Sequence, residues 1–385
     1  MIISILGHGV VGKGVYEMLQ ACPQYTVRTV LVKKGEADPQ KKWMVESLDY
    51  VLKDDSDLVI ECMGGIEPAF EFASKCLDAG KSFITSNKAL VAAHGIELMQ
   101  KAQAKGLSFL FSAACGGAIP ILQNLYSARQ ADCILNAGGI LNGTTNYMLD
   151  AMDSRGLSFE AALAEAKALG YAEADPTADL TGLDTLRKIM LISMVAYDRL
   201  PTEGFNIEGI QHVTATDFEL AKELGCTIRL IGKCGLDKEG RLFAYVEPVF
   251  CSLSSALAGV KVNTNLAFYT GKNSGYMTFG GQGAGRYPTA SAVVRDVFSV
   301  FCGQKQMLRP SCKVSQAFNA SEVCEHQYIV RSDIELDAFL PVEETLAKKG
   351  SFSYVLTKNI GVKKMQEVAG LLREKGAKEF SGERV

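Results

Sequence analysis

The stretch MIISILGHGVVGKGVYEML, residues 1–19, decides the fold of the first part of the chain. A short apolar run leads into the string GHGVVG, and a helical pattern follows it. Glycines at this spacing are typical of a dinucleotide-binding turn, because they make the turn, let backbone approach a pyrophosphate and allow close helix packing. A tight structural turn is the alternative. We predict that His8 faces solvent and that the cofactor contacts the rest of the loop: Gly7, Gly9, Val10, Val11 and Gly12.

The segments after this loop continue an alternation of strands and helices. The runs YTVRTVLV, DLVIECM and KSFITS are apolar and strand-like. Between the last two, EPAFEFASKCLDAG has the spacing of an amphipathic helix that ends at a glycine. Strands separated by helices imply crossovers and a parallel sheet. We therefore predict an α/β fold that begins with a doubly wound, Rossmann-type dinucleotide-binding domain.

The end of the second predicted strand bears on the choice of cofactor. An acidic residue about 20 positions beyond the glycines would bind the ribose hydroxyls of NAD. This chain has Lys33 and Lys34 near that place. Two cations there suit a 2′-phosphate, so we expect NADP, with NAD as the alternative. A solvated strand end is the other interpretation of the two lysines.

The composition is that of an ordinary globular protein. Its 385 residues suffice for two or three domains, and 48% hydrophobic with 22% charged residues excludes extended disorder. Forty Lys and Arg against 43 Asp and Glu give a net charge of −3, so we expect neither nucleic acid nor a membrane as partner. The start lacks a basic leader, and the eleven cysteines form no CxxC pair. We expect a cytoplasmic protein with reduced thiols.

The composition of the sequence changes near residue 131, where a second region begins with the Gly-, Asn- and Thr-rich stretch NAGGILNGTTNYML. Strand-like runs RLFAYVEPVF and 266–270 follow, and then a glycine loop, FGGQGAGRYP, precedes the helical SAVVRDVFSVF. Beyond about residue 310 the chain reads strand (QYIVRS), helix (PVEETLAKK), strand (FSYVLT) and helix (VKKMQEVAGLLREKG), a small α/β unit. We expect three domains: 1–130, with 286–310 packing back on it, 131–310 and 311–385.

Charged residues that could take part in catalysis are concentrated in GYAEADPTADLTGLDTLRKI, residues 170–189. On a helix, Asp184 and Lys188 lie on one face within pairing distance. Three more carboxylates precede them: Glu173, Asp175 and Asp179. A second lysine, Lys88, follows the fourth predicted strand, at the carboxyl end where ligands bind in an open sheet. Two lysines suit a carbonyl reduction, in which one delivers a proton to the oxygen, whereas a plain salt bridge and a surface lysine are the alternatives.

Six motifs follow one another along most of residues 1–300: GHGVVGKG, ECMGGIEPA, ITSNKALVAAHG, GGILNGTTNYML, ALGYAEADPTADLTGLDTLRKI and FGGQGAGRYPTASAVVRD. In this order they resemble one family, the homoserine dehydrogenases. The strings GILNGTTNYML and GYAEADPTADLTGLD are highly specific to that family. The resemblance implies reversible, NAD(P)-dependent reduction of L-aspartate 4-semialdehyde to L-homoserine, on the branch toward threonine, methionine and isoleucine.

The resemblance also implies roles for particular residues. Lys188 would donate the proton to the carbonyl, and Asp184 would hold Lys188 and the substrate. Lys88 would be a second catalytic or orienting lysine near the nicotinamide. The substrate pocket would include four further residues: Glu173 for the amino group, Asp179, Gly143 and Thr144. Further cofactor contacts would come from Met63, Gly64, Thr85, Gly170 and Gly283.

Two departures from the family pattern have consequences. The family has an acidic residue where this chain has Ser112. In the family this carboxylate binds Na⁺ or K⁺ together with backbone carbonyls equivalent to those of Cys115, Gly117 and Ile119. The tail stands where the family has a regulatory ACT domain, but it lacks the expected effector turn. The resemblance therefore implies an α+β catalytic and dimerisation domain and a small ACT-like unit, which we expect to serve assembly of a homodimer or homotetramer.

Two other classes of protein remain open on the sequence. A non-catalytic sensor could keep the dinucleotide fold, but a decayed enzyme should first lose costly buried charges, and Lys88, Glu173, Asp184 and Lys188 are all present. An aspartate-semialdehyde dehydrogenase would need an activated cysteine with a histidine partner, and no cysteine has that setting in the sequence. We expect an active oxidoreductase with a small-molecule substrate.

Overall fold

A computed structural model describes residues 1–307, 315–321 and 324–384. The chain divides into two compact units. The first comprises Met1–Asp132, Met194–Asp198 and Gly281–Ser315. The second comprises Cys133–Ser193, Arg199–Gly280 and Gln316–Val385. The division into three domains drawn from the sequence stays a prediction.

Short strands and helices alternate through the first part of the chain. In order they are β1 (Ile2–Leu6), α1 (Val10–Gln20), β2 (Thr26–Leu31), β3 (Met44–Val45), α2 (Leu48–Lys53), β4 (Leu58–Glu61), α3 (Ala69–Asp78), β5 (Ser82–Thr85), α4 (Lys88–Ala104), β6 (Phe109–Leu110), a 3-10 helix (Ser112–Ala114) and α5 (Ile121–Ala128).

Longer strands dominate the rest of the chain. In order the described elements are β7 (Ile134–Ile140), α6 (Gly143–Arg155), α7 (Phe159–Ala168), α8 (Thr177–Leu180), α9 (Leu183–Tyr197), β8 (Arg199–Glu203), β9 (Asn206–Ile207), α10 (Ala215–Glu223), β10 (Cys226–Leu236), β11 (Leu242–Ser252), β12 (Thr264–Gly271), β13 (Gly275–Gln282), α11 (Arg286–Phe301), β14 (Ser315–Phe318), β15 (Glu325–His326), β16 (Tyr328–Ser332), β17 (Val342–Lys349), β18 (Phe352–Thr357), β19 (Ile360–Gly361), α12 (Val362–Glu374) and β20 (Phe380–Arg384).

The first unit is built on a six-stranded parallel sheet in the order β3-β2-β1-β4-β5-β6. Strands β4 and β5 are buried throughout, as expected where helices cover both faces. The strand order reverses between β1 and β4, and ligands of such sheets bind at that switch point, beyond the carboxyl ends of the strands. The predicted doubly wound sheet is confirmed, whereas β3 and β6 were missed because two-residue strands leave no pattern.

The second unit contains a ten-stranded sheet in the part of the chain that the structure describes. Its order is β13-β12-β7-β10-β11-β20-β16-β18-β17, and β9 pairs with β11. Glycine brings helix α9 close to this sheet, because a Cβ on Gly232 of β10 would lie 2.5 Å from Ile189 and 2.8 Å from Thr185. Helix α9 is the element that carries Asp184 and Lys188.

The predicted helix PVEETLAKK is wrong, because these residues form strand β17. A turn at Gly350, with φ of +62°, folds β17 back on β18, and the two strands pair from Lys349↔Phe352 to Val342↔Thr357. Backbone pairing has thus overridden the helical propensity of Glu, Leu, Ala and Lys. The predicted glycine loop is also shorter than expected, because its residues FGGQ end strand β13.

The C-terminal strands follow the order β20-β16-β18-β17, which is fourth, first, third and second along the chain. A small core forms around Tyr328, Val330 and Val355, and helix α12 adds Met365 and Leu372 to it. Leu371 of the same helix is 42% exposed.

Two observations concern cellular context. No disulfide joins the cysteines of the described ranges. Within the same ranges, we find no helix that combines the length and apolar character needed to cross a membrane.

Candidate active site

The glycine loop after β1 has the backbone geometry that its sequence suggests. Gly7 has φ of +98°, a conformation that favours glycine, and a Cβ on Gly12 would lie 2.0 Å from the Gly7 carbonyl oxygen. These two glycines are therefore needed for the turn and for the packing of α1. By contrast, a Cβ on Gly9 would have no atom within 4 Å. Backbone at Gly9 is open to close approach by a ligand.

A cavity of about 580 Å³ lies beside this loop in the first unit. Its walls come from the carboxyl ends of β1, β2 and β4 and from α3, and they include Gly7, Gly9, Lys33, Lys34, Met63 and Gly64. Both lysines are exposed. Two carboxylates, Glu36 and Glu46, line the same cavity, and Glu46 accepts hydrogen bonds from Gly35 N and Ala37 N. The structure thus gathers predicted cofactor residues around one cavity at the switch point of the sheet.

Glu61, which was not predicted as a site residue, connects three predicted cofactor residues. Its carboxylate accepts hydrogen bonds from Met63 N at 2.6 Å, Gly64 N at 3.1 Å and Thr85 Oγ1 at 2.5 Å. Burial raises the pKa of Glu61, and these hydrogen bonds act in the opposite direction. The signal in the sequence is an acid at the end of the apolar run LVIE, where a buried carboxylate needs partners.

Lys88 is the first residue of α4 and is partly buried. Asn87 precedes it and caps the helix through Leu90 N, while the Asn87 amide also donates to Gly65 O. Asn87 N donates to Thr85 Oγ1 at 2.9 Å. A chain of hydrogen bonds thus links the start of α4 to Glu61 and to the loop after β4.

The prediction that His8 faces solvent is wrong. Its ring is partly buried and lies edge-on to the rings of Tyr16, at 5.9 Å, and Trp43, at 5.6 Å. Burial lowers the pKa of His8, and the positive charges of Lys13 and Lys41 add to this effect. These contacts could not be inferred from the sequence, because Trp43 lies 35 residues from His8 along the chain.

Of the predicted acidic residues in the second unit, Asp184 contacts Lys188 directly. Lys188 and Asp184 are 8% and 6% exposed, and Lys188 Nζ lies 2.7 Å from Asp184 Oδ2. The ammonium group also donates to the carbonyl oxygen of Leu141. The predicted pair on one helix face is therefore present, and it is buried, unlike an ordinary surface salt bridge.

Asn142 is a second residue that the sequence analysis missed. Its side-chain amide donates to Asp179 Oδ1 at 2.7 Å and to Asp184 Oδ2 at 2.9 Å. Its side-chain oxygen accepts from Thr145 N and caps α6. Asn142 thus holds two of the predicted carboxylates in place. An asparagine directly before a predicted helix is a capping signal, but nothing in the sequence indicates the two carboxylates.

The other predicted substrate residues differ in how strongly the fold fixes them. A Cβ on Gly143 would lie 2.8 Å from Asn263 O, so glycine is required there, and Thr144 Oγ1 donates to Tyr171 O at 2.5 Å. Glu173 is exposed in the loop after α7. Gly170, predicted to contact the cofactor, has φ of +74° just beyond the end of α7, the usual place of a helix-terminating glycine.

The loop predicted to bind a cation follows the 3-10 helix. Gly117 packs so tightly that a Cβ would lie 2.6 Å from Gly283, another predicted residue. At Ser112, the hydroxyl and backbone N–H donate to the carboxylate of Asp296, at 2.5 and 2.8 Å. Burial raises the pKa of Asp296 to about 6, against these hydrogen bonds. The Ile119 carbonyl accepts from Ile121 N. Among the described residues, no three His, Cys, Asp or Glu side chains could hold a metal together.

Comparison with known proteins assigns the chain to a family. Residues 120–298 match the model of the homoserine dehydrogenase domain, and residues 7–112 match the model of the homoserine dehydrogenase NAD-binding domain. A homoserine dehydrogenase of Corynebacterium glutamicum is 39% identical over 77% of this chain and 70% of its own length. One of Bacillus subtilis is 32% identical over 92% and 87%.

A solved structure gives the same result. The homoserine dehydrogenase of Thiobacillus denitrificans superposes with a TM-score of 0.88, at 28% identity, over 100% of this chain and 98% of its own. These similarities show that the chain belongs to the homoserine dehydrogenase family.

Proposed function

We propose that this chain interconverts L-aspartate 4-semialdehyde and L-homoserine with NADP, using Lys188 as the proton donor to the carbonyl oxygen. The observation that carries the proposal is the buried contact of Lys188 with Asp184, held by Asn142. A buried ion pair costs desolvation and is weak evidence for stability alone. A catalytic role of Lys188 explains why this ion pair is buried.

The carboxylate of Asp184 favours the ammonium form of Lys188, because an opposite charge lies 2.7 Å away. An ammonium group can donate a proton to the oxygen of a carbonyl as that oxygen gains negative charge. In the reverse direction, the neutral amine takes the proton of the homoserine hydroxyl. Asp184 and Asn142 then act on Lys188 by fixing its position.

The substrate amino group is a cation, and the carboxylates in the segment before Lys188 suit it. Asp179 is fixed through Asn142, while Glu173 is exposed and free of that network. We propose that Glu173 binds the substrate ammonium, that Asp179 supports the pocket, and that Gly143 and Thr144 shape its wall. Lys88 is proposed to orient the substrate or cofactor from the start of α4.

The cavity beside the glycine loop suits a dinucleotide. Gly9 leaves its backbone open, and the N-terminus of α1 offers free N–H groups to a pyrophosphate. When bound, the nicotinamide supplies or accepts a hydride. Lys33 and Lys34 at the cavity wall favour the 2′-phosphate of NADP, because each can form a charge-assisted hydrogen bond with it.

A monovalent cation remains part of the proposal. It would be held by backbone oxygens of Cys115, Gly117 and Ile119, as the family resemblance implies. The carboxylate that Ser112 lacks has a counterpart in Asp296, which contacts Ser112 directly. Its negative charge would favour K⁺ or Na⁺ in the neighbouring loop.

We further propose a cytoplasmic homodimer or homotetramer. Strand β13 is an edge of the ten-stranded sheet, and it exposes Tyr276 and Met277 by 51% and 39%. An edge with exposed apolar side chains suits pairing with a second copy of the chain. The strand order of the C-terminal segment is compatible with an ACT-like unit, which we propose serves assembly.

Initial rates test the central proposal. Purified protein is assayed with L-homoserine and either NAD⁺ or NADP⁺, each with and without added K⁺ or Na⁺. We expect turnover with a lower KM for NADP⁺. A protein that binds the nucleotide yet shows no turnover with homoserine or the semialdehyde would contradict the proposed activity. Equal or better kcat/KM with NAD⁺ would contradict only the cofactor preference.

A further inference from the structure

His8 is a group in the cofactor loop that the chemistry proposed above leaves unused. Its ring lines the cavity together with Lys33 and Lys34. Tyr16 and Trp43 stack on each other at 4.5 Å, and both meet the imidazole edge-on, so its position is fixed. The Nδ1 atom is buried, and no described residue hydrogen-bonds to it. Because the protein covers Nδ1, a ligand in the cavity would meet the ring at its other nitrogen, Nε2.

The charges around His8 oppose its protonation in the free protein. Lys13 of α1, Lys41 of the loop before β3 and Arg286 of α11 all lower its pKa, and burial contributes most. Glu17 alone acts in the opposite direction among the charges that shift it. The lysines that line the cavity, with Glu36 and Glu46, complete the charged surroundings. The imidazole is therefore neutral near pH 7.

We propose that His8 takes up a proton from solvent when a 2′-phosphate enters this cavity and then binds that phosphate together with Lys33 and Lys34. The proposal rests on the NADP preference proposed above. It makes His8 a specificity-determining residue for NADP over NAD. The reason is electrostatic: a phosphate monoester carries nearly two negative charges at pH 7, and such a charge close to the ring reverses the effect of the neighbouring cations.

Trp43 provides a direct probe, because it is the single tryptophan of the chain and touches the His8 ring. A protonated imidazole quenches indole fluorescence by contact. We would titrate Trp43 emission against pH in the free protein, with adenosine 5′-monophosphate, and with adenosine 2′,5′-bisphosphate. The two nucleotides differ only in the 2′-phosphate. We expect the midpoint to move to higher pH with the bisphosphate alone, and the transition to vanish in His8→Phe, which keeps the aromatic packing.

Affinities for the same nucleotides give a second measurement. The measured quantity is the preference for the bisphosphate over the monophosphate. Between pH 8 and pH 6, this preference should rise roughly tenfold more in the unmodified protein than in His8→Gln, as expected for one hydrogen bond to a charged group. The 2′-phosphate itself also titrates, and because it does so with His8→Gln as well, its contribution cancels in this comparison. Lys33→Gln is the matched control, since it should weaken the bisphosphate by a similar factor at every pH. Thermal melting checks that the variants are folded.

The outcomes separate the two proposals. If the unmodified protein binds both nucleotides equally well, the NADP preference is wrong and the role of His8 is wrong with it. If it prefers the bisphosphate but the Trp43 midpoint does not move, or His8→Gln keeps the full pH dependence, only the role of His8 is overturned.

Discussion

Replacing Asn142 by serine tests whether the hydrogen bonds around Lys188 position a catalytic group or only complete the fold. The Asn142 side chain caps α6 and donates to Asp179 and Asp184. Serine is about as good a helix cap as asparagine, so the cap survives in Asn142→Ser. The two amide donors are lost, and each hydrogen bond to a charged group is worth roughly 1.5–3 kcal/mol.

The size of the expected fall in kcat follows from the effect of the lost amide donors on Asp184. One of its two oxygens faces both Asn142 and Lys188, so without the amide the carboxylate can rotate and carry the ammonium group with it. A misplacement equal to one lost hydrogen bond in the transition state lowers kcat by about tenfold to a hundredfold. We expect that fall in kcat, with a changed pH profile of kcat, and a melting temperature lower by several degrees because two hydrogen bonds to charged groups are lost.

The assay needs a control for helix capping alone. Ser158 caps α7 through Ala161 N at an exposed site that has no proposed role in catalysis. Ser158→Ala should cost about 0.5–2 kcal/mol of stability and leave kcat unchanged. If Asn142→Ser keeps a normal kcat and a normal pH profile, Asn142 is only a cap and our view of the cluster is refuted.

Further predictions concern the proton donor, the cofactor, pH and regulation. Lys188→Ala should lower kcat by about 10² or more with a much smaller change in homoserine affinity, and steady-state kinetics that show a near-normal kcat would reduce Lys188 to a salt bridge. Lys33→Glu should weaken NADP⁺ binding by roughly 1–3 kcal/mol and leave NAD⁺ almost unaffected, measured by titration with both nucleotides. Burial and the neighbouring Glu383 raise the pKa of Glu247, so the folded state holds a proton on this carboxyl group that the unfolded chain loses above about pH 4.5. The free energy of unfolding should therefore fall as pH rises above that value. Calorimetry from pH 5 to 9 should show a weaker pH dependence of stability for Glu247→Gln than for the unmodified protein. L-Threonine at millimolar concentration should change the rate less than twofold, because the connection after β16 is acidic and would repel its carboxylate, and strong saturable inhibition would contradict this.

Local patterns predicted the parts of the site that neighbouring residues determine. The glycine loop needs only a turn between one strand and one helix, and the pair of Asp184 and Lys188 needs only helical spacing. Both expectations hold in the structure. The predicted helix at 341–349 fails for the opposite reason, since pairing with β18 decides its conformation and no local pattern encodes that partner.

Contacts between distant segments were beyond the sequence analysis. His8 lies against Trp43, and Asn142 reaches two carboxylates about 40 residues further along the chain. Only the fold brings such residues together. Both were visible as residue types, one in the cofactor loop and one before a helix, but their partners were not.

Buried acids can be recognised from the sequence, although their hydrogen-bond partners cannot. Glu61 ends the apolar run LVIE, and Asp296 interrupts the apolar face of α11 in VVRDVF. A carboxylate so embedded must find hydrogen-bond donors or shift its pKa, because burial without partners costs several kcal/mol. Both do so, Glu61 at the loop after β4 and Asp296 at Ser112 beside the predicted cation loop. An acid within an apolar run therefore predicts a buried carboxylate with hydrogen-bond partners from elsewhere in the fold, even where those partners cannot be named from the sequence.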